Sequence, residues 1–276
     1  MQTKKVKMLI GLLIIVFGIV IFCIWQNNHI VISRYVYENN KIGVKLDGFK
    51  IAQISDLHNK EFGDNNKRLL YKLREEKPNM ILITGDIVDR NRTNINIALE
   101  FVKGAVEIAP VFYVTGNHEY SISGEDWNKL MQGMSDSGVI LMDNKAINIY
   151  KGEEIGFYFI GLSDINLTDG TLQTLISNLN PDKLQILLAH EPQNLDYYSQ
   201  TKVDLVFAGH AHGGQFRLPF LGGLVAPNQG FFPKYTAGTY LEDQTTMVVS
   251  RGLGNSVIPV RIFNRPEIVI VTLKQM

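Results

Sequence analysis

The chain has very little sulfur chemistry available to it. A single cysteine, Cys23, occurs in 276 residues, and it lies inside an apolar run. That excludes an intramolecular disulfide, a thiolate zinc site and a soluble cysteine nucleophile. Neither sign of charge is in excess, because 27 Lys and Arg balance 27 Asp and Glu. A neutral chain lacks the cation surplus that neutralises a phosphate backbone, so no nucleic-acid-binding surface is evident. A phosphate group in any substrate must instead be held locally. Internal repeats, low-complexity tracts, a nucleophile-elbow serine, a G-x-G-x-x-G loop and a Walker loop are all missing.

The first positive feature is hydrophobic. Residues 8–25, "MLIGLLIIVFGIVIFCIW", follow Lys4, Lys5 and Lys7 and are long enough to span the hydrocarbon core as a helix. The lysines predict that residues 1–7 are cytoplasmic, that 8–25 form a single-pass anchor in the cell membrane, and that the remainder is extracytoplasmic. A cleaved signal peptide is the competing reading. The run is long for one, "QNNHIVISRY" has no A-x-A-like site, and Phe22 spoils a lipoprotein site at Cys23. The lack of a polar face counts against a buried core helix. Residues 26–45 read as a polar tether, and 46–276 as one domain.

From Phe49 onward strand-like and helix-like segments alternate: "FKIAQIS" then 65–76, "MILIT" then 93–104, "PVFYVT" then 124–137. Such alternation implies βαβ units. After residue 138 "GVILMD", "AINIY" and "GFYFIGL" follow one another with only short turns, which predicts strands paired mostly antiparallel, before a helix at 171–178 and further strands at "LQILLA", "VDLVFA", "TMVVS" and "EIVIVTL". Two sheets packed face to face under outer helices accommodate both halves.

Each apolar strand ends in polar chemistry. "IAQISDLH" ends in Asp56 and His58, "MILITGDIVD" in Asp86 and Asp89, and "VFYVTGNHE" in Asn117, His118 and Glu119; "ILLAHEP" ends in His190 and "LVFAGHAH" in His210 and His212. One such residue is ordinarily a helix cap or a satisfied loop residue. Five repeats of the pattern are not explained that way. Carboxylate, imidazole and amide oxygen without thiolate make a ligand set for divalent Mn, Zn or Fe. The ligands suffice for two ions sharing a carboxylate.

In this order D-x-H, G-D-x-x-D, G-N-H-E, a lone His and G-H-x-H-G resemble the calcineurin-like metallophosphoesterase superfamily, from about Phe49 to the C-terminus. The resemblance implies an α/β fold, a four-layer αββα sandwich, here carrying one N-terminal transmembrane helix. It implies that Asp56, His58 and His212 hold one divalent metal ion, that Asn117, His190 and His210 hold the other, and that Asp86 bridges them. It makes His118 the group that stabilises or protonates the leaving group. Glu119 stands where Asp is usual, and Lys60 where Gly is frequent. The tail "GHAHGGQFRLPFLGG…SRGLGNSVIPVRIFNRPEI", from Gly209 to Ile268, also resembles a membrane-associated bacterial branch, some of whose members act on phosphodiesters or lipid-linked pyrophosphates.

These features predict a membrane-anchored phosphodiesterase in which a hydroxide bridging two metals attacks phosphorus in line, on a phosphoester that is lipid-linked in one reading. A pyrophosphohydrolase and an inactive metal- or phosphate-binding module are the alternatives. Retention of His118 beside a full ligand set argues against the inactive module. Substrate-contacting residues are not identifiable. The segment "RLPFLGGLVAPNQGFF", 217–232, follows His212 closely, so its apolar side chains either fold back on the core or form an apolar lip beside the site.

Overall fold

The computed structural model describes residues 2–164, 170–255 and 258–276. It begins with α1 (Gln2–Asn28), whose span from Lys4 is long and apolar enough to cross a membrane; its apolar stretch is exposed, and only its last turns meet the domain, where Gln26 and Asn27 are buried. An all-round apolar helix exposed over most of its length has no favourable place in water.

Residues 26–45 do not form the expected tether. Val31–Asn39 is strand β1, which runs parallel to the C-terminal strand, placing Val31 opposite Glu267 and Asn39 opposite Gln275. Its stretch "VISRYVYEN" is β-branched and aromatic, but only one face is covered. Tyr35 and Tyr37 pack inward while Arg34, Val36 and Glu38 meet solvent, so the segment looks polar when read alone. Ile42 and Leu46 beyond it are buried as well.

The alternating region then delivers β2 (Lys50–Ile54), α2 (Lys67–Glu75), β3 (Met80–Thr84), α3 (Ile95–Val106), β4 (Val111–Val114), α4 (Gly124–Asp136) and β5 (Ile140–Leu141). With β1 and the last strand, β16 (Glu267–Gln275), these strands form one sheet ordered β1-β16-β2-β3-β4-β5, parallel from β2 to β5.

The second sheet contains β6 (Lys145–Lys151), β7 (Glu154–Gly161), β8 (Leu184–Leu188) and β9 (Leu205–Ala208). Two short hairpins follow, β10 (Arg217–Leu218) with β11 (Gly222–Gly223) and β12 (Val225–Ala226) with β13 (Gly230–Phe231). The sheet is completed by β14 (Gly238–Glu242) and β15 (Thr245–Val249), in the order β14-β15-β9-β8-β7-β6. Of the three strands expected to pair mostly antiparallel, β6 and β7 do so, while "GVILMD" supplies β5 of the first sheet, parallel to β4; in the second sheet β14 with β15 is the other antiparallel pair and the four inner strands are parallel. The reason is the crossovers. α5 (Thr171–Ile176) lies between β7 and β8, and α6 (Leu195–Gln200) between β8 and β9, returning the chain to the same end each time.

The inner strands are buried on both faces, which explains their unbroken apolar runs. In β3, Met80 and Leu82 face the other sheet while Ile81 and Ile83 face the helices; in β9, Leu205 and Phe207 face inward while Val206 and Ala208 face out. Three apolar layers result: between the sheets, under α2 to α4, and under α5 and α6. This is the expected four-layer αββα sandwich.

Candidate active site

Parallel strands in both sheets end at one edge, where α/β proteins place their sites. There β2 leads to Asp56 and His58, β3 to Asp86 and Asp89, β4 to Asn117 and His118, β8 to His190, and β9 to His210 and His212. The two sheet edges are tied directly together. Gln53 Nε2 donates to the Ala208 carbonyl at 2.8 Å, and the His210 N–H donates to both Asp56 carboxylate oxygens at 3.1 Å. His190 Nδ1 lies 2.7 Å from the Thr84 carbonyl. A carbonyl only accepts, so Nδ1 carries the proton and Nε2 presents its lone pair to the site.

Such close approach requires missing side chains. At Gly85, φ is +85° and a Cβ would come within 2.5 Å of His190 Nδ1, while at Gly209 a Cβ would overlap Ser55 Oγ. The ligand candidates themselves are unusual in backbone. Asp56, His58, Asp86, His210 and His212 all hold φ between 46° and 62°, a left-handed region that non-glycine residues rarely enter. The tight left-handed turn is how each loop brings its side chain back toward the centre. Such conformations cost about 1–3 kcal/mol each and are concentrated at functional sites.

The donor atoms converge. Asp56, His58 and His212 form one group, and Asp86, His190 and His210 another, with the atoms of each within 4.8 Å of one another and every residue buried. His58 Nε2 and His212 Nε2 are 3.1 Å apart, as are His190 Nε2 and His210 Nδ1. Asn117 Oδ1 joins the second group, 3.3 Å from His190 Nε2. Asp86 Oδ2 stands between the groups, 3.6 Å from His58 Nε2 and 3.3 Å from His190 Nε2. Ligand atoms about 2.1 Å from a shared cation are themselves about 3.0–3.4 Å apart, so these spacings fit two cation sites with nitrogen and oxygen donors. Two imidazole nitrogens at 3.1 Å share at most one proton, and His58 Nδ1 and His212 Nδ1 have no hydrogen-bond partner.

The electrostatics draw positive charge inward. Burial opposes ionisation of Asp86, but His190 first, then His58 and His118, hold its carboxyl well below the usual range. Burial pushes His212 down to about 3 and, aided by His190, His210 down to about 4. His58 and His190 are raised despite their burial, because Asp56 and Asp86 face them.

His118 behaves differently. Its ring stands 4.4 Å from that of His58, and its Nδ1 accepts the Arg90 N–H at 3.1 Å, which leaves the ring proton on Nε2. Burial lowers its pKa, which favours the neutral ring.

Several supporting residues surround the ligands, and of them Glu119 belongs to a motif while Asn264, Asn228 and Arg261 do not. The Glu119 carboxylate accepts the N–H groups of Gly116 at 2.7 Å, Asp86 at 2.9 Å and Val88 at 3.2 Å, clamping two ligand loops together. Asn264 Nδ2 donates to the His212 carbonyl at 2.7 Å, and Asn228 Nδ2 lies 3.3 Å from His210 Nε2 while donating to Glu191. The buried Arg261 donates to the carbonyls of Gly254 and Arg251. Asp89 is not grouped with the ligands; its Oδ1 accepts from the N–H groups of Asn91 and Arg92, and its Oδ2 lies 3.9 Å from His58 Nδ1. A cavity of about 390 Å³ opens beside His58 and is lined by Asn59, Lys60, Arg92, Asn255 and Pro259. A larger cleft of about 650 Å³, beside Gln173 and Gln200, contains none of the histidines.

Comparison with known proteins agrees with this geometry. The model of the calcineurin-like phosphoesterase family matches residues 49–214, which contain every candidate ligand. That match stops at Gly214, short of the C-terminus. The chain is 29% identical over 246 residues to the metallophosphoesterase YkuE of Bacillus subtilis, covering 88% of this chain and 85% of YkuE. It is 28% identical over 228 residues to the phosphodiesterase YaeI of Escherichia coli, covering 82% of each. The crystal structure of TT1561 of Thermus thermophilus shares the fold, with a TM-score of 0.50 at 10% identity over 74% of this chain and 90% of that one. The chain belongs to the calcineurin-like phosphoesterase family and is a metal-dependent phosphoester hydrolase.

Proposed function

We propose that the protein is a membrane-anchored phosphodiesterase. In this reading Asp56, His58 and His212 hold one divalent cation, Asn117, His190 and His210 hold a second, and Asp86 serves both. The observation that carries it is the position of Asp86 Oδ2 between the two histidine groups, at 3.6 and 3.3 Å. Bound cations supply Lewis acidity and a more acidic water, which is the chemistry that makes phosphoester hydrolysis feasible near neutral pH.

The chain's own groups supply the rest. His118, with its proton on Nε2, donates to the leaving oxygen as the ester bond breaks. Lys60 and Arg92, on the cavity beside His58, offset charge on the phosphoryl oxygens. Glu119 keeps the β3 and β4 loops in register so that Asp86 and Asn117 stay aimed inward. The diester preference is supported by the name of the relative YaeI, a phosphodiesterase, and by a cavity open enough for groups on both sides of phosphorus. The span from Lys4 to Asn28 anchors the chain, with Lys4, Lys5 and Lys7 keeping its N-terminus in the cytoplasm and the domain outside.

The test is hydrolysis of a bis-aryl phosphate and a mono-aryl phosphate by the full-length protein with Mn²⁺, Zn²⁺ or Fe²⁺. Diester turnover that exceeds monoester turnover and disappears with chelator is the expected result. Preference for the monoester, or for a pyrophosphate bond, overturns the diester assignment. Protease added to wall-free cells should digest the domain, and protection until lysis reverses the assigned topology.

A further inference from the structure

Among the described residues outside α1, the two hairpins after His212 group the largest exposed apolar side chains. Phe220 is fully exposed, and Phe231, Phe232 and Leu221 are 82%, 68% and 65% exposed. Of the two expectations for this loop, folding back on the core is not what the structure adopts. Phe220 and Phe232 also hold φ of 70° and 54°. A bulky aromatic in that region is disfavoured where Gly or Asn would sit comfortably. Neither core packing nor turn preference accounts for aromatics here.

Their neighbours supply a reason. The base of the first hairpin is joined to the segment 258–263: Gln215 Nε2 donates to the carbonyls of Ile258 and Val260, and the Arg217 N–H donates to the Ile262 carbonyl. That segment in turn holds the end of α1. Phe263, 55% exposed and itself at φ 51°, packs edge-on against Phe22 at 5.5 Å. Asn255 donates to Asn27 at 2.9 Å, and the Arg265 guanidinium lies 5.0 Å over the Trp25 ring. Phe22 precedes Trp25 by three residues, about 4.5 Å deeper along the helix axis. If Trp25 marks the membrane interface, Phe263 therefore lies at the depth where the apolar span begins. The hairpins hang from that same edge, and the second touches the site through Asn228 beside His210. Lys234, two residues beyond Phe232 in sequence, is exposed and lies 3.8 Å from the Glu242 carboxylate.

We infer that the domain rests on the bilayer with this edge down, its hairpin aromatics inserted among the lipids, so that the site takes amphiphilic phosphodiesters directly from the membrane. The inference rests on the phosphodiesterase reading and on α1 as the anchor. The occupant of the apolar surface is lipid because the base of the first hairpin is hydrogen-bonded to the segment whose Phe263 packs on Phe22 of the helix that crosses the bilayer.

The test uses the full-length protein with Mn²⁺ in phosphatidylethanolamine–phosphatidylglycerol vesicles. An environment-sensitive fluorophore is attached to Phe220→Cys in a Cys23→Ser background. Quenching by spin-labelled acyl chains and shielding from aqueous iodide are expected; full iodide access with no lipid quenching overturns the membrane contact, whatever the enzyme hydrolyses. The activity arm compares methyl and hexadecyl p-nitrophenyl phosphates, which differ only in the tail. The wild type should favour the hexadecyl ester by at least about 10-fold in kcat/KM, and the quadruple variant F220S/L221S/F231S/F232S should lose that preference while retaining methyl ester turnover. Equal wild-type turnover of both esters overturns the substrate class, as does equal loss of both in a variant that also melts early. A wild type inactive on either diester sinks the phosphodiesterase reading instead.

Discussion

His212 and Phe220 are eight residues apart at the same edge of the sandwich, yet their surroundings are inverted. The ligand loops are polar and buried, with Asp56, Asp86 and four histidines almost inaccessible to solvent. The hairpins are apolar and exposed. Both depart from the rule that sorts polar residues outward and apolar residues inward, and both also hold side chains in left-handed backbone. A buried polar cluster persists when something positive compensates its carboxylates, and an exposed apolar one when something other than water covers it. In the readings proposed above, the partners that compensate them at this edge are a cation pair and a lipid surface.

The comparison breaks most completely at Asp86. Asp86→Ala removes the carboxylate between the two histidine groups, leaving two like-charged ions without a shared ligand. Turnover should vanish and both metals should be lost. Metal analysis of the purified variant decides the point: two retained equivalents with normal turnover would show that Asp86 does not bridge.

His118→Ala should separate chemistry from metal holding. The variant keeps its metal, and kcat falls by roughly 10²- to 10⁴-fold, as for other general acids. A good leaving group needs little protonation, so aryl esters should lose less than alkyl esters. Equal losses would restrict His118 to electrostatic stabilisation.

How much of this was legible in the sequence depends on how local each signal is. The candidate ligands are carried by short motifs at the ends of apolar strands, and the parallel sheets bring those ends to one edge. β1 was not legible, because its partner β16 begins more than 230 residues later and only one of its faces is covered. The helix expected at 171–178 is α5 (Thr171–Ile176), whereas α6, six residues long, was not legible between β8 and β9. Arg261, Asn228 and Asn264 had no motif, since their roles depend on where distant carbonyls and His210 fall in space. Nor did the left-handed backbone at five candidate ligands show itself, although Asp and His tolerate it better than most residues.

Glu119→Gln gives a smaller, structural effect. The carboxylate accepts three backbone N–H groups, and burial followed by Asp86 raises its pKa to about 7. An amide offers one acceptor oxygen and turns an NH₂ toward groups that only donate, so about 3 kcal/mol should be lost to unsatisfied buried N–H groups. For a domain of this size that corresponds to a Tm lower by about 6–12 °C. An unchanged melt would mean that the clamp is dispensable.

The smallest expected effect tests the other side of the comparison. Phe220 buries nothing, so truncating it forfeits no packing, in contrast to a buried aromatic such as Phe207, whose loss costs about 3–5 kcal/mol. Its φ of 70° also favours a residue with a short polar side chain. Phe220→Asn should therefore leave the metal-loaded protein in detergent as stable as the wild type or better by up to about 1 kcal/mol, from relief of backbone strain. That outcome would show an aromatic kept at a position where folding alone favours its replacement. A clear drop in Tm would mean instead that Phe220 packs on its own loop, and the contrast with the ligand edge would narrow to Phe231 and Phe232.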